Sequence, residues 1–151
     1  MWSAITRLLE QQQQDFAGIS HYHQCHGGEV NQSWQLICGD KHYFVKSNHE
    51  AMLTAFIEEA DQLELLQRTD CVRVPKVYGT GTSRHQSFLI LEYLPPAPLS
   101  VNSAELLGKQ LSQLHQWSEQ PKFGLDFDNS VTLSPQPNNW QQRWASFFSE
   151  Q

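Results

Sequence analysis

A lysine and a pair of glycines are the residues of this sequence whose types and spacing best suit a chemical role. Gly27 and Gly28 precede a predicted strand at residues 33–37, and a tight turn leads from it into a second strand at 43–46 that ends in Lys46. A glycine turn lets backbone N–H groups approach a phosphate, and an ammonium at the strand end adds a point charge. The order therefore predicts a polyphosphate site, although a plain turn and a solvated lysine have the same local pattern.

An acidic helix is predicted after the lysine. Apolar residues recur at helical spacing over residues 49–68. The acids beyond its first turn are Glu58, Glu59, Asp61 and Glu64. They form either a solvated helix face or a face from which one carboxylate reaches Lys46 and holds it against a phosphate.

Histidine and cysteine side chains near the N-terminus are metal-ligand types. His21, His23 and Cys25 alternate in a strand predicted over residues 19–26, so they would share one face. Structural zinc sites usually take their ligands from two separate elements, and the other cysteines are scattered along the chain. We therefore expect no metal site here.

The composition is that of a globular protein with an acidic surface. The chain has 151 residues, of which 39% are hydrophobic and 17% charged, and this is enough for a domain with a real core. A formal net charge of −6 argues against nucleic acid bound through a basic surface. No apolar run approaches the length of a membrane span, and the N-terminus does not resemble a signal peptide. Because three cysteines do not make a disulfide framework, a reducing cytoplasm is the expected location.

The remaining segments of the first two thirds supply a framework. We predict a helix at residues 2–16, a short strand at 76–79 with a turn at 79–82, and an apolar, buried strand at 87–93. This last strand runs into a proline-rich connector at 94–98, whose prolines stop it.

The last third of the chain is predicted as two helices around a long loop. Ser103 would cap a helix that reaches Trp117, and a loop would span residues 118–138. Asp126 and Asp128 in this loop are expected to be solvated. A final helix from residue 138 or 139 would carry large aromatic side chains on one face: Trp140, Trp144, Phe147 and Phe148.

Short motifs occur along the whole chain in a characteristic order. They are Gly27-Gly28-Glu29-Val30-Asn31, Tyr43-Phe44-Val45-Lys46, Glu59-Ala60-x-x-Leu63-x-x-Leu66, Val74-Pro75-Lys76-Val77, Leu91-Glu92-Tyr93-Leu94, Leu107-Gly108-x-x-Leu111-x-x-Leu114-His115, Lys122-Phe123-Gly124 and Asn139-Trp140-x-x-x-Trp144-x-x-Phe147-Phe148. The set resembles the fructosamine kinase (ketosamine 3-kinase) family, which is related to the aminoglycoside phosphotransferases. The resemblance covers essentially all 151 residues.

The resemblance implies an α+β fold. It would be a protein-kinase-like N-terminal lobe, with an antiparallel sheet of about five strands plus helices, followed by the first helical pieces of the C-terminal lobe. The implied domains are a nucleotide-binding lobe at 1–94, a hinge or connector at 95–101, and the start of the C-terminal lobe with a substrate-side loop at 102–151.

The resemblance also implies which residues bind ATP. The glycine turn would lie over the phosphates, Lys46 would contact them while Glu59 orients it (with Glu58 as the second candidate), and the hinge would bind adenine through its backbone. The implied nucleotide-binding residues are Gly27, Gly28, Glu29, Val30, Asn31, Lys46, Glu59, Glu92, Tyr93 and Leu94. The implied substrate-side residues are Lys122, Phe123, Gly124, Trp140 and Trp144.

The family reaction transfers the γ-phosphate of ATP, with Mg²⁺, to the 3-hydroxyl of a ketosamine such as a fructosamine or ribulosamine, and the unstable product releases the amine (deglycation). The family's His-Gly-Asp-Leu-Trp-x-Gly-Asn motif and its metal-binding Asp-Pro-Ala do not occur in this sequence. We therefore expect no catalytic residue and no metal ligand in these 151 residues, an N-terminal fragment of a longer protein, and no kinase activity from the isolated chain.

The expected partner is a small-molecule ketosamine or a glycated protein, rather than nucleic acid or a membrane, with non-native self-association through exposed C-terminal helices. Two alternatives stay open. One is a non-catalytic remnant that acts as a binding protein, and the other is a kinase similar to the aminoglycoside phosphotransferases. The Lys122-Phe123-Gly124 motif and the tryptophans Trp140 and Trp144 disfavour the second alternative.

Overall fold

The chain forms two compact units, Met1–Ser100 and Val101–Gln151. The computed structural model describes residues 1–27, 30–117, 120–131 and 134–149. The first unit contains a sheet with a helix on each face, and the second contains helices and a small hairpin.

A five-stranded antiparallel sheet organises the first unit. Its strands are β1 (His21–Cys25), β2 (Gln32–Cys38), β3 (Lys41–His49), β4 (Val77–Ser83) and β5 (Gln86–Glu92). They lie in the order β1-β2-β3-β5-β4, so β3 is the central strand and β1 and β4 form the edges. This is the α+β architecture that the sequence predicts.

One face of the sheet packs on the N-terminal helix. The helix α1 (Trp2–Gln12) buries Ile5 and Leu9 completely, in a cluster with Tyr43 and Val45 of β3. Their spacing along α1 places them one turn apart on one side of the helix, as the apolar periodicity predicts. The helix ends before the predicted residue 16.

The opposite face packs on a second helix. A 3₁₀ turn (Glu50–Met52) leads into α2 (Leu53–Thr69). The buried residues of this interface are Phe56, Ala60, Leu89 and Leu91. Successive side chains of a strand point to opposite faces, so Phe44 and Lys46 of β3 lie on the α2 side while Tyr43 and Val45 lie on the α1 side.

The prediction that Lys46 ends its strand is wrong. The central strand β3 continues through three more residues to His49. The physical reason is the partner strand: β5 pairs with β3 as far as His49↔Gln86 and so satisfies the backbone of the polar residues that follow the lysine. Lys46 therefore lies inside the central strand, between Ser33 of β2 and Leu89 of β5.

The turn predicted at residues 79–82 is also wrong, because these residues lie within β4. Gly79 has a φ of +136° at a register shift of the β4–β5 ladder. A Cβ on Gly81 would lie 2.8 Å from Cζ of Phe88. Gly79 is therefore needed for the irregularity of the strand, and Gly81 for close packing. A local sequence pattern does not distinguish these two roles of glycine from a turn.

The second unit contains α3 (Val101–Gln116), the strands β6 (Asn129–Val131) and β7 (Ser134–Gln136), and α4 (Trp144–Ser149). The helix α3 begins before Ser103, so Ser103 is not its cap. The long loop predicted at 118–138 contains the β6–β7 hairpin, whose strands pair from Asn129↔Gln136 to Val131↔Ser134.

The final helix is shorter than predicted. It begins at Trp144, so Trp140 lies outside it and the two tryptophans do not share a helical face. The reason is a tertiary pairing: Gln141 forms a two-way backbone bridge with Phe123, at N···O distances of 2.8 and 2.7 Å. This bridge holds the backbone at Gln141 extended.

The surface of the second unit is rich in exposed apolar side chains. They include Leu106, Leu107, Leu111, Trp144 and Phe148. Within the ranges that the structure describes, no helix combines the length and the apolar character needed to cross a bilayer.

Candidate nucleotide-binding site

An ion pair between β3 and α2 fixes the lysine of the site. Nζ of Lys46 donates to Oε1 of Glu59 over 2.5 Å, and the two side chains are 28% and 31% exposed. Glu59 follows the buried Phe56 by one helical turn, so the packing of α2 on the sheet directs it toward β3. The predicted pair is confirmed. A partly exposed ion pair contributes about 1 kcal/mol or less, so its effect is mainly to position the ammonium.

A cavity of about 300 Å³ opens beside this ion pair. Its lining residues are Phe44, Lys46, Glu59, Leu63, Pro75, Leu91, Glu92 and Leu94. Most of these side chains are apolar, and Lys46 is the cation among them. An apolar cleft with a few convergent polar groups is the usual form of a small-molecule site, and this one suits a flat base joined to an anionic group.

The glycine turn lies between β1 and β2, next to the strand that carries the lysine. Ser33, near the start of β2, pairs directly with Lys46. Gly27 has a φ of +110°, in the left-handed region that favours glycine. Gly28 and Glu29 lie outside the described residues.

Asn48 joins the far side of the turn to β3, and sequence reasoning missed this contact. Its Nδ2 donates to the carbonyl oxygen of Val30 over 2.9 Å and to Oδ1 of Asn31 over 2.8 Å. The partners lie 18 and 17 residues upstream, so no local pattern points to them. Only the β2–β3 pairing brings these residues together.

Glu92 ends β5 and is bound to the segment that precedes β4. Its N–H donates to the carbonyl oxygen of Lys76 over 2.8 Å, and its Oε2 accepts from the N–H of Lys76 over 3.2 Å. Its Oε1 accepts from Nη2 of Arg73 over 2.8 Å. The Glu92 amide is therefore engaged within the protein. Of the next two residues, Tyr93 and Leu94, which are predicted to form the hinge, Leu94 lines the cavity.

The residues predicted for the substrate side are Lys122, Phe123, Gly124, Trp140 and Trp144. The ring of Phe123 lies 5.7 Å from that of Trp144. Gly124 has a φ of +145°, and a Cβ there would lie 2.8 Å from Cα of Trp140, so this position requires glycine. The second unit therefore brings the two sequence motifs together, and Lys122 is exposed beside them.

Asp126 and Asp128 are exposed, as the sequence predicts, and each also accepts a hydrogen bond. Oδ1 of Asp126 accepts a hydrogen bond from Nε1 of Trp140 over 2.9 Å. Oδ1 of Asp128 accepts from the N–H of Asn138 over 2.7 Å. Both carboxylates therefore accept hydrogen bonds from the residues that follow the β6–β7 hairpin. This contact gives the two acids a structural role, although they belong to no recognisable motif.

The histidines of β1 lie at the edge of the five-stranded sheet. His21 and His23 are exposed on the edge strand. In the described part of the chain, no group of three or more histidine, cysteine, aspartate or glutamate side chains is placed to hold a metal ion.

A comparison with protein families identifies the chain. The model of the fructosamine kinase family matches residues 1–151. The chain belongs to the fructosamine kinase family. This membership confirms the resemblance that the ordered motifs carry.

Bacterial members of the fructosamine kinase family are similar over the whole chain. The probable ketoamine kinase of Klebsiella aerogenes is 52% identical over 151 residues, which cover 100% of this chain and 53% of that protein. The probable ketoamine kinase of Escherichia coli K12 is 50% identical, over 100% of this chain and 52% of that protein. The chain spans about half the length of the curated relatives that it matches.

A solved structure in the family has the same fold. The crystal structure of a protein from Haemophilus somnus 129PT, which carries the name fructosamine-3-kinase, is 39% identical with a TM-score of 0.89. The match covers 99% of this chain and 51% of that one. The five-stranded sheet and its helices thus correspond to the N-terminal lobe of a kinase-like fold.

Proposed function

We propose that this chain is the nucleotide-binding half of an ATP-dependent ketosamine 3-kinase. The reaction would transfer the γ-phosphate of ATP to the 3-hydroxyl of a fructosamine or ribulosamine, as a step of deglycation in the cytoplasm. The observation that carries the proposal is the ion pair of Lys46 with Glu59, at 2.5 Å, beside an apolar cavity on the central strand. In kinases, a strand lysine paired with a helix glutamate contacts the nucleotide phosphates.

The nucleotide would lie along the central strand β3. At one end, Tyr43 pairs with Glu92 next to the hinge, and at the other end Asn48 holds the glycine turn. The strand rises by about 17 Å between these points. The base would lie at the hinge end against the apolar cavity wall, bound by backbone groups of Tyr93 and Leu94, because the Glu92 amide is already engaged.

The phosphates would lie at the other end of β3, under the glycine turn. Backbone N–H groups of residues 27–31 would approach the phosphate oxygens, and the ammonium of Lys46 would offset part of their charge. Mg²⁺, when bound with ATP, would supply charge neutralisation at the phosphates in addition to that from Lys46. We expect the ligands of this metal ion in the part of the longer relatives that this chain does not span.

The sugar-amine substrate would lie against the second unit. Its border would be formed by Lys122, Phe123, Gly124, Trp140 and Trp144. The backbone bridge of Phe123 with Gln141 and the required glycine at 124 support this assignment, since they hold the two segments next to each other. The general base would also come from outside these 151 residues, so the isolated chain would bind nucleotide without transferring phosphate.

A chimera tests the proposal. Residues 1–151 replace the matching part of the Escherichia coli K12 relative, and ATP-dependent phosphorylation of a fructosamine is measured. We expect activity, a loss of roughly ten- to hundredfold in kcat/KM for Lys46→Ala, and a smaller loss for Glu59→Gln, because a charge-assisted contact to phosphate is removed or misplaced. Lys109→Ala, at an exposed position of α3, is the matched control and should retain activity.

Two results would count against the proposal. The first is a folded chimera that neither binds ATP nor phosphorylates a fructosamine while the parent relative does both. The second is phosphorylation of an aminoglycoside in place of the fructosamine, which would favour the alternative kinase class.

A further inference from the structure

Beyond Lys46, a side chain of β3 extends the contact between β3 and the segment that precedes β2. The backbone ladder between β2 and β3 ends at Gln32↔Ser47. Asn48 is the next residue, and its amide occupies the place of the next rung by donating to Val30 O over 2.9 Å and to Oδ1 of Asn31 over 2.8 Å. The exit of the glycine turn is thereby bound to the strand that carries the lysine.

The chemistry of the partners fixes the orientation of this amide. The carbonyl oxygen of Val30 can only accept a hydrogen bond. The N–H of His49, which donates to Oδ1 of Asn48 over 2.7 Å, can only donate. A flip of the Asn48 amide would lose both contacts. An aspartate at this position would keep the contact to His49 but would have no N–H to donate to Val30.

The backbone that carries Asn48 is anchored on its other side. Asn48 pairs with Ser87 of β5, and His49 pairs with Gln86. The fully buried Ser87 donates from Oγ to the carbonyl oxygen of His49 over 2.8 Å. The amide therefore links the turn to a fixed part of the central sheet.

We propose that Asn48 is a positioning residue for the nucleotide site. It holds Val30 and Asn31 at a set distance from Lys46, which lies two residues earlier on the same face of β3. This inference rests on the proposed function, because a phosphate chain is the ligand that the turn and the lysine would contact together. Holding the turn in place before the nucleotide arrives lowers the ordering cost of binding.

Amide hydrogen exchange and ATP affinity of the full 1–151 chain test this inference. Exchange at residues 30–32 should become faster in Asn48→Ala, and faster still in Asn48→Asp, whose carboxylate faces the Val30 carbonyl. The dissociation constant for ATP should rise roughly fivefold to thirtyfold, because one or two hydrogen bonds of ordinary strength are lost. Asn102→Ala is the control, since Asn102 is exposed on α3, in the second unit. It should change neither quantity.

The kinetics of the chimera separate positioning from a general structural effect. The Asn48 variants should raise KM for ATP and leave KM for the fructosamine unchanged, whereas a loosened fold would lower kcat and affect both substrates. Thermal unfolding shows whether each variant folds, and the nearly isosteric Asn48→Asp serves if Asn48→Ala does not. A folded Asn48 variant with unchanged exchange at 30–32, or with unchanged ATP affinity, overturns the inference.

The same measurements distinguish this failure from that of the proposed function. If Lys46→Ala weakens ATP binding and the Asn48 variants do not, only the role of Asn48 is overturned. If neither the chain nor the chimera binds ATP, the proposed function fails and the role of Asn48 fails with it.

Discussion

Neighbouring residues of β3 meet very different surroundings on the two faces of the sheet. On the α2 side, Lys46 finds a carboxylate at 2.5 Å. On the α1 side, Tyr43 is 1% exposed, and its hydroxyl is the buried side-chain polar atom for which the described residues provide no hydrogen-bond partner. Burial raises the pKa of this hydroxyl from 10.0 to about 12, and the neighbouring Tyr78 and Cys38 add to the rise. The ring of Tyr43 thus stabilises the core, whereas burial of its hydroxyl lowers the free energy of unfolding.

Replacing Tyr43 by phenylalanine should remove this cost. At neutral pH we expect the free energy of unfolding of Tyr43→Phe to be unchanged or higher by about 1 kcal/mol, because no hydrogen bond is lost. Above about pH 10 the unfolded wild-type chain releases the tyrosine proton while the folded chain keeps it up to about pH 12, so wild-type stability falls in this window and that of the variant falls less. Urea denaturation from pH 7 to 12 measures both effects.

The control for this measurement is Tyr22→Phe, since Tyr22 is 51% exposed. It should leave the alkaline slope as in the wild type. A marked loss of stability of Tyr43→Phe at neutral pH would contradict the prediction, because it would mean that the hydroxyl has a favourable partner.

At the scale of elements, β4 depends on two glycines that contact other parts of the first unit. A Cβ on Gly79 would lie 3.4 Å from the methyl carbons of Leu8 in α1, and one on Gly81 would lie 2.8 Å from the ring of Phe88 in β5. Phe88 is 2% exposed and so cannot move aside cheaply. The edge strand is therefore shaped by what packs on it rather than by its own strand preference.

We expect Gly81→Ala to destabilise the chain by about 1 to 3 kcal/mol, as overpacking in a dense core does. Gly108→Ala is the matched control: it lies in α3, where a Cβ would have nothing within 4 Å. Because alanine is a better helix former than glycine, this control should be neutral or stabilising by up to about 1 kcal/mol. Equal unfolding midpoints for the two variants in urea would show that β4 yields to the added methyl group.

At the scale of the whole molecule, the second unit carries a large exposed apolar surface. Leu106, Trp144 and Phe148 are 56%, 55% and 68% exposed. Burying one such side chain contributes about 1.5 to 3 kcal/mol, while a domain's net stability is only about 5 to 15 kcal/mol. Covering a few of these residues therefore makes a large difference to the stability of the chain.

We expect the isolated chain to self-associate through this surface. Light scattering at tens of micromolar protein should give a mass above that of the monomer, and the double variant Leu106→Gln, Phe148→Gln should shift it back toward the monomer. Ile57→Gln is the control, since Ile57 is 43% exposed but lies on α2 in the first unit. A purely monomeric wild-type chain that melts cooperatively would contradict this expectation.

Much of the first unit can be predicted because its patterns are local. The period of apolar residues places α1 and α2, the apolar run places β5, and Gly39 with its φ of +61° forms the turn before β3 that the sequence predicts. The strand lysine and the acidic helix predict that a carboxylate reaches Lys46, and the family resemblance implies that this carboxylate is Glu59.

The sequence by itself determined the family, the α+β class and the paired lysine, because each depends on residue types in a fixed order along the chain. Tertiary structure alone decided how far β3 extends, since β5 rather than local preference satisfies its last residues. It also decided that Asn48 binds the end of the glycine turn. The bridge of Gln141 with Phe123, which keeps Trp140 outside the final helix, is likewise a tertiary contact. These contacts join residues 17 or more positions apart, and their energy exists only when strand pairing and loop closure have brought the segments together.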